Sequence, residues 1–183
     1  DEIIVTANKR EQSLQDVPVS VTVTSGETIQ RASIVDLVDL QTSVPSLRVN
    51  QLQSSAQTNF TIRGYGNGAN NPGIEPAVTV YIDGVARTRS ASALADLPTV
   101  QRIEVLSGPQ STLFGKNASA GVISVTTQLP DQEFGAMVEA TAGNYGAQIV
   151  KGTVTGGLTD TLSYRLSASS NQSDGTATNL GTS

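Results

Sequence analysis

Cysteine, histidine and tryptophan are absent from the 183 residues of this sequence. Without cysteine the chain has no disulfide framework, no thiolate metal site and no cysteine nucleophile. Without histidine it also lacks the commonest metal ligand and general base. Carboxylate pairs are the remaining candidates for acid–base chemistry, and Asp36 with Asp39 is more simply a solvated helix face. We therefore expect no enzyme activity, no catalytic residue, no metal site and no cofactor.

Basic residues and long apolar runs are also scarce. Eleven Lys and Arg against sixteen Asp and Glu give a formal net charge of −5, whereas phosphate binding draws on clustered positive charge. We therefore expect no nucleic-acid partner. No stretch approaches the ~20 apolar residues that a membrane-spanning helix needs, and residues 1–4 lack the basic start and apolar core of a signal peptide. Such a start fits a mature secreted chain that has already been cut.

The residues that are present favour strands and turns over packed helices. Gly occurs 17 times and aromatic residues make up only 4% of the chain, while Ser, Thr and Val are abundant. Alternation of apolar and polar residues predicts a set of short strands. These strands cover residues 19–23, 47–49, 60–63, 78–82, 102–105 and 121–126. Asp83-Gly84, directly after the fourth of them, predicts a two-residue hairpin.

Short helices and loops are predicted between these strands. Apolar spacing over residues 27–40 indicates a helical region, in which Ser33 and Asp36 form a capping-box-like start for its second segment. Further helical turns are predicted at 92–97 and 111–113. The polar stretch 50–59 and the glycine- and asparagine-rich stretch 64–75 are expected to be loops. Residues 13–127 are therefore predicted to form one small α+β domain.

The pattern changes from residue 133 onward. Three segments of roughly ten residues alternate over 133–170, with turns predicted at 144–146 and 157–160, which is the length and period of transmembrane barrel strands. The same periodicity also fits an antiparallel meander on a soluble domain. Three strands cannot close a membrane barrel, since the smallest need about 8. Either the barrel continues beyond Ser183, or another chain covers these strand edges.

Three blocks of the sequence resemble the plug domain of TonB-dependent outer-membrane receptors. They are residues 60–64 (FTIRG), 80–85 (VYIDGV) and 102–123 (RIEVLSGPQSTLFGKNASAGVI). The third block is long and specific. Residues 1–7 (DEIIVTA) also resemble the short TonB box that precedes the plug in that family. One departure is Ser107, which stands where the family commonly has Arg before Gly-Pro, and this puts one ion pair between plug and barrel in doubt.

The resemblance implies the fold and the function of the chain. Residues 1–12 would be the TonB box and linker, 13–128 a plug with a small mixed sheet and short helices, and 129–183 the first three strands of a truncated transmembrane barrel. Family members place such a plug in a barrel of about 22 strands. They use energy delivered by TonB to import a siderophore, vitamin, haem or glycan across the bacterial outer membrane. The implied partners are the periplasmic domain of TonB, a small-molecule or metal-chelate ligand, and outer-membrane lipid.

The resemblance also assigns roles to individual residues. An extended Ile/Val/Thr segment can pair with an incoming strand by β-augmentation. The residues expected to bind TonB in this way are Asp1, Glu2, Ile3, Ile4, Val5, Thr6 and Ala7. The expected charged contacts between plug and barrel are Arg63, Arg102 and Glu104. Loops 50–58 and 64–75 would face the substrate, with contacts from Tyr65, Asn67, Asn70 and Asn71. In the barrel, Val138 and Leu166 should face lipid while Glu139 and Arg165 face the plug.

A different class of function stays open from the sequence. The segment 133–170 would leave unpaired strand edges, which are templates for pairing with other chains. On this alternative, the chain would be a self-assembling structural fragment that forms an oligomer or fibre through these edges. The assembly would be extracellular if the fragment is the natural form. The sequence does not identify the substrate of such a receptor, because the loops that select it would lie mainly on the barrel.

Overall fold

The computed structural model describes residues 4–5, 12–13, 15, 17–32, 34, 36–52, 58–66, 74–87 and 99–174. The chain divides into two compact units, Asp1–Gln128 and Leu129–Ser183. Within the described ranges, no helix has both the length and the apolar character required to cross a membrane.

Short strands make up most of the first unit. They are β1 (Ile4–Val5), β2 (Gln12–Ser13), β3 (Ser20–Ser25), β4 (Leu47–Gln51), β5 (Thr58–Ile62), β6 (Tyr65–Gly66), β7 (Val78–Ile82), β8 (Val85–Arg87), β9 (Val100–Ser107) and β10 (Gly121–Thr127). The helices are α1 (Gly26–Arg31), a 3-10 helix (Asp39–Thr42) and α2 (Ser111–Phe114). The helical turn predicted near 111–113 is confirmed, whereas the helix predicted at 92–97 lies outside the described residues.

The main sheet is mixed and has five strands in the order β3-β9-β10-β7-β8. Strand β10 is central, and it runs antiparallel to β9 and parallel to β7. Both faces of β10 are covered, which explains its nearly continuous apolar run from Gly121 to Val125. Two smaller sheets have the orders β4-β5-β6 and β1-β2. The predicted α+β fold with a small mixed sheet is thus confirmed.

The main sheet buries a different apolar cluster on each face. The larger cluster includes residues from α1, the 3-10 helix, β4 and β5, with Phe60, Leu37 and Leu40 among its largest side chains. The second cluster lies on the opposite face and contains Val5 and Leu106. Alternation along β9 explains this division, because Ile103 and Val105 belong to the larger cluster and Leu106 to the second one.

The helical region is more interrupted than its apolar spacing predicted. Helix α1 begins after Ser25, whose Oγ accepts a hydrogen bond from the Thr28 amide over 3.3 Å. The predicted second start is wrong in its details. Asp36 Oδ1 accepts hydrogen bonds from the amides of Val38 at 2.7 Å and Asp39 at 3.0 Å. Asp36 therefore stabilises the turn that leads into the 3-10 helix, whose N-cap residue is Val38, while Ser33 lies outside the described residues.

Two hairpins in the first unit share one backbone geometry. Asp83 and Gly84 have φ values of 48° and 78°, and Arg63 and Gly64 have 52° and 82°. Consecutive positive φ values are the mark of a type I′ turn, whose twist matches that of the strands. The hairpin predicted at Asp83-Gly84 is confirmed. The predicted loops are shorter than expected, because 50–51, 58–59 and 65–66 belong to strands.

The second unit is a three-stranded antiparallel sheet in the order β11-β12-β13. The strands are β11 (Gly135–Ala142), β12 (Gln148–Thr159) and β13 (Leu162–Gln172). The turn predicted at 144–146 is confirmed. The turn predicted at 157–160 is displaced, because β12 continues to Thr159 through a register shift after Gly157. A bulge of this kind adds one residue without ending the strand.

Candidate functional site

Strand β1 lies against the second apolar cluster of the first unit. Strands β1 and β2 pair antiparallel, with Ile4 opposite Ser13 and Val5 opposite Gln12. The side chain of Val5 is fully buried (0% exposed) in the second apolar cluster. Burying a valine is worth about 1.5–3 kcal/mol, so this contact holds the segment on the sheet. The other expected TonB-binding residues, 1–3 and 6–7, lie outside the described residues.

A folded loop between β9 and β10 completes the surface on which Val5 lies. The Gly108 amide donates to the Ala120 carbonyl at 3.1 Å, and the Gln110 amide donates to that of Ala118 at 2.8 Å. These two bonds fold residues 108–120 back on themselves. Ala118 thereby joins the buried cluster that contains Val5.

Strand β7 fixes this loop through aromatic and polar contacts. Tyr81 packs edge-on against Phe114 with ring centroids 5.2 Å apart, and its hydroxyl donates to the Phe114 carbonyl at 2.6 Å. The Thr79 hydroxyl donates to the Asn117 carbonyl at 2.5 Å. The sequence block 102–123 thus provides part of the apolar surface that buries Val5.

Arg102 and Glu104, both predicted to contact the barrel, contact each other. Arg102 Nε donates to Glu104 Oε1 over 2.8 Å, and the Glu104 side chain is fully buried. Residues two apart on a strand point to the same face, so the sequence already contained the signal for this pair. Sequence reasoning missed it by considering only distant partners. The expected contact with the barrel stays a prediction.

Arg63 connects the two larger sheets of the first unit. Its Nη2 donates to Ser20 Oγ at 2.6 Å, although the two residues are 43 positions apart in the sequence. Ser20 in turn lies opposite Ser107 across β3 and β9. The guanidinium of Arg63 therefore lies near the strand position where the sequence departs from the family pattern. Its expected contact with the barrel stays a prediction.

Asp83 also has a partner within the first unit that the sequence did not predict. Its carboxylate accepts hydrogen bonds from the amide and the hydroxyl of Thr127, each at 2.8 Å. The Asp83 amide donates to the Val125 carbonyl at 3.0 Å. These bonds fix the β7–β8 hairpin to the end of β10. No pattern in the sequence predicts which strand end this carboxylate reaches.

The predicted substrate-facing residues are only partly described. Tyr65 lies in β6, next to the Arg63-Gly64 turn, with 74% of its surface exposed. Asn67, Asn70 and Asn71 lie outside the described residues. The role of these residues in substrate binding stays a prediction.

In the second unit, the two faces of the sheet differ in polarity. Register places Val138, Gly152 and Ala168 side by side, with Val154 and Leu166 on the same face. This face is apolar yet open, since Val138 is 80% and Leu166 68% exposed. The opposite face carries Glu139, Lys151, Thr153, Thr155 and Arg165, by the same register. An apolar exposed face with polar residues opposite is the pattern of a strand between lipid and a barrel interior.

A mixed-sheet domain followed by antiparallel strands that are apolar on one face is the arrangement expected of a plug domain and the first strands of a membrane barrel. The family model described as TonB-dependent Receptor Plug Domain matches residues 13–122. The chain belongs to this family.

Curated relatives agree with this assignment. The chain is 31% identical to the pesticin receptor of Yersinia pestis, covering 88% of this chain and 24% of that protein. It is 32% identical to the vitamin B12 transporter BtuB of Vibrio vulnificus, covering 79% of this chain and 23% of the transporter. This chain therefore spans about a quarter of the length of the curated relatives that it matches.

A solved structure also matches the fold. The ferric yersiniabactin uptake receptor FyuA from Yersinia pestis superposes with a TM-score of 0.77 at 29% identity, covering 82% of this chain and 24% of the receptor. The expected fold, a plug followed by antiparallel strands of a barrel that this chain does not close, is confirmed. The expected location in the outer membrane of Gram-negative bacteria is confirmed as well.

Proposed function

We propose that this chain is the N-terminal part of a receptor for active uptake of a scarce nutrient, energised through its TonB box. One observation supports this most directly. Ile4 and Val5 form an extended strand ahead of the plug, and its described contacts are a two-residue ladder with β2 and the buried Val5 side chain. A two-residue ladder of this kind can be exchanged for a strand of the periplasmic domain of TonB.

The docked position of Val5 adds a condition to this proposal. Backbone groups that pair with β2 are not available for another strand on the same edge. The incoming strand must therefore displace β2 or add to the other edge of β1. Tension on β1 would then reach β3, an edge strand whose described pairing in the sheet is with β9 alone. Movement of this part of the plug would open a path for the nutrient.

The class of nutrient is proposed from the relatives, whose descriptions name ferric yersiniabactin uptake and vitamin B12 transport. We propose a metal chelate or a compact cofactor-sized ligand of this kind. Arg63, Arg102 and Glu104 are proposed to contact the barrel, and Tyr65, Asn67, Asn70 and Asn71 the ligand. No bond of the ligand is made or broken in this function, so the protein is proposed not to be an enzyme.

Titration of the periplasmic domain of TonB with a peptide of residues 1–10 tests the proposal. The peptide is expected to bind, and Val5→Pro is expected to abolish binding because proline removes a backbone donor. A Lys9→Ala peptide is the matched control, since position 9 lies outside the predicted box. Absence of binding by the unmodified peptide would contradict energisation through this segment.

Self-association of the chain is a separate prediction. Among the described strands, β11 and β13 each have one neighbour in the sheet, so each presents an unpaired edge. A self-assembled form would bury well over ~1,000 Å² between copies. Light scattering that shows a stable monomer would exclude it.

A further inference from the structure

The segment that enters the second unit is bonded to the polar face of its sheet. We refer to residues 129–133 as the strap. The Leu129 carbonyl accepts a hydrogen bond from Arg165 Nε at 3.1 Å, and the Asp131 amide donates to Thr155 Oγ1 at 2.9 Å. The Gln132 carbonyl accepts from the Gly157 amide at 3.0 Å. Three of the five strap residues are therefore bonded to β12 or β13.

Thr155 is suited to this contact because its hydroxyl acts as both an acceptor and a donor. The oxygen accepts from the Asp131 amide, and its hydrogen is donated to the Tyr164 carbonyl at 3.0 Å. The residue is only 9% exposed, and loss of its hydroxyl would remove both of these hydrogen bonds.

Gly157 allows the strap to approach β12 closely. A Cβ atom at this position would lie 3.1 Å from the Gln132 carbonyl oxygen and would also contact the Gln132 side chain. The register shift of β12 begins at this glycine. Beside it, the Glu133 amide donates to Asp131 Oδ1 at 3.2 Å, which closes a sharp bend just before β11.

We propose that the strap is a mechanical anchor, which keeps β11 in its sheet when the first unit is pulled. This inference rests on the proposed function, in which tension enters through the N-terminal strand. Without the strap, tension along the chain would act on Gly135 and Thr155, the first pair of the β11–β12 ladder. That ladder would then open one pair at a time. With the strap, the tension acts first on bonds distributed over β12 and β13.

Single-molecule force spectroscopy on the receptor in a lipid bilayer tests the anchor. The tip is attached at residue 1, and the rate at which β11 detaches is measured at constant load. Thr155→Val preserves the shape of the side chain and removes the hydroxyl. We expect detachment to become about two- to tenfold faster, the change that corresponds to one hydrogen bond of ordinary net strength. Gly157→Ala is expected to act in the same direction by displacing Gln132.

Thr153→Val is the matched control. Thr153 lies on the same face of β12 and is also buried, and its hydroxyl bonds with Ser167 Oγ at 3.1 Å. The Asp131 amide of the strap bonds with Thr155. Hydrogen exchange without load gives a second readout, in which Thr155→Val accelerates exchange of the Asp131 amide and Thr153→Val does not.

Two results would overturn the anchor. One is equal detachment rates in the unchanged protein, Thr155→Val and Gly157→Ala. The other is equal acceleration by Thr155→Val and Thr153→Val, because the effect would then come from a general weakening of β12. The tip replaces TonB in this experiment. Failure of the anchor is therefore distinguishable from failure of the proposed function, which the peptide titration tests.

Discussion

Arg102 Nε and Glu104 Oε1 lie 2.8 Å apart on one face of β9, where Glu104 is fully buried and Arg102 keeps 16% of its side chain exposed. A buried carboxylate is costly unless hydrogen bonds and opposite charge compensate for its lost hydration. Two residues that the sequence assigned to contacts with the barrel therefore also stabilise the plug itself. Mutation of either one is therefore expected to change plug stability.

Glu104→Ala is expected to destabilise the first unit by about 1.5–3 kcal/mol, because the partly buried Arg102 loses a charged hydrogen-bond partner. Hydrogen exchange of the β9 and β10 amides measures this loss. Glu27→Ala is the control, since Glu27 pairs with Arg31 but is 74% exposed, and such surface pairs contribute about 0–1 kcal/mol. Equal effects of the two substitutions would show that burial of the pair is unimportant.

The receptor is expected to bind the periplasmic domain of TonB more weakly than the free peptide of residues 1–10 does. Undocking Val5 exposes a side chain whose burial is worth about 1.5–3 kcal/mol, which corresponds to a tenfold to hundredfold loss of apparent affinity. Calorimetric titration of both partners with the same TonB preparation measures the difference. Equal affinities would mean that the docked strand binds TonB without leaving its site.

Asp83→Ala is expected to destabilise the β7–β8 hairpin by about 2–4 kcal/mol. The substitution removes two hydrogen bonds to Thr127 and leaves alanine at a positive φ. Asp83→Asn is the matched variant. Asparagine tolerates this conformation and retains one acceptor, so its cost should be clearly smaller. Exchange rates of the β7 and β8 amides that are the same in both variants would contradict this explanation.

Val138→Lys is expected to oppose membrane insertion by about 2–4 kcal/mol, the cost of a lysine on a lipid-facing strand near the membrane midplane. Met137→Lys is the control, because this neighbouring residue points to the polar face. Folding titrations of the receptor into bilayers compare the two variants. If Val138→Lys is neutral, the assignment of the apolar face to lipid is wrong.

Local features of this fold could be predicted from the sequence because each depends on adjacent residues. Alternation located the strands of the main sheet, and Asp83-Gly84 located a type I′ hairpin. Boundaries were less accurate where a residue has two possible roles. Asp36 fits both the third position of a capping box and a turn residue before a helix, and only its bonds to Val38 and Asp39 show that it has the second role.

The sequence by itself thus determined the strand segments, the turn chemistry and the resemblance of block 102–123 to the plug family. Only the tertiary structure decided that β10 pairs with both β7 and β9, that Arg102 bonds with Glu104, and that Val5 is buried. Periodicity shows which face of a strand is apolar but not which distant segment covers that face. The burial of Val5 depends on Tyr81, Leu106, Ala118 and Val122. These residues are far from Val5 in the chain, and only folding of the whole unit brings them together.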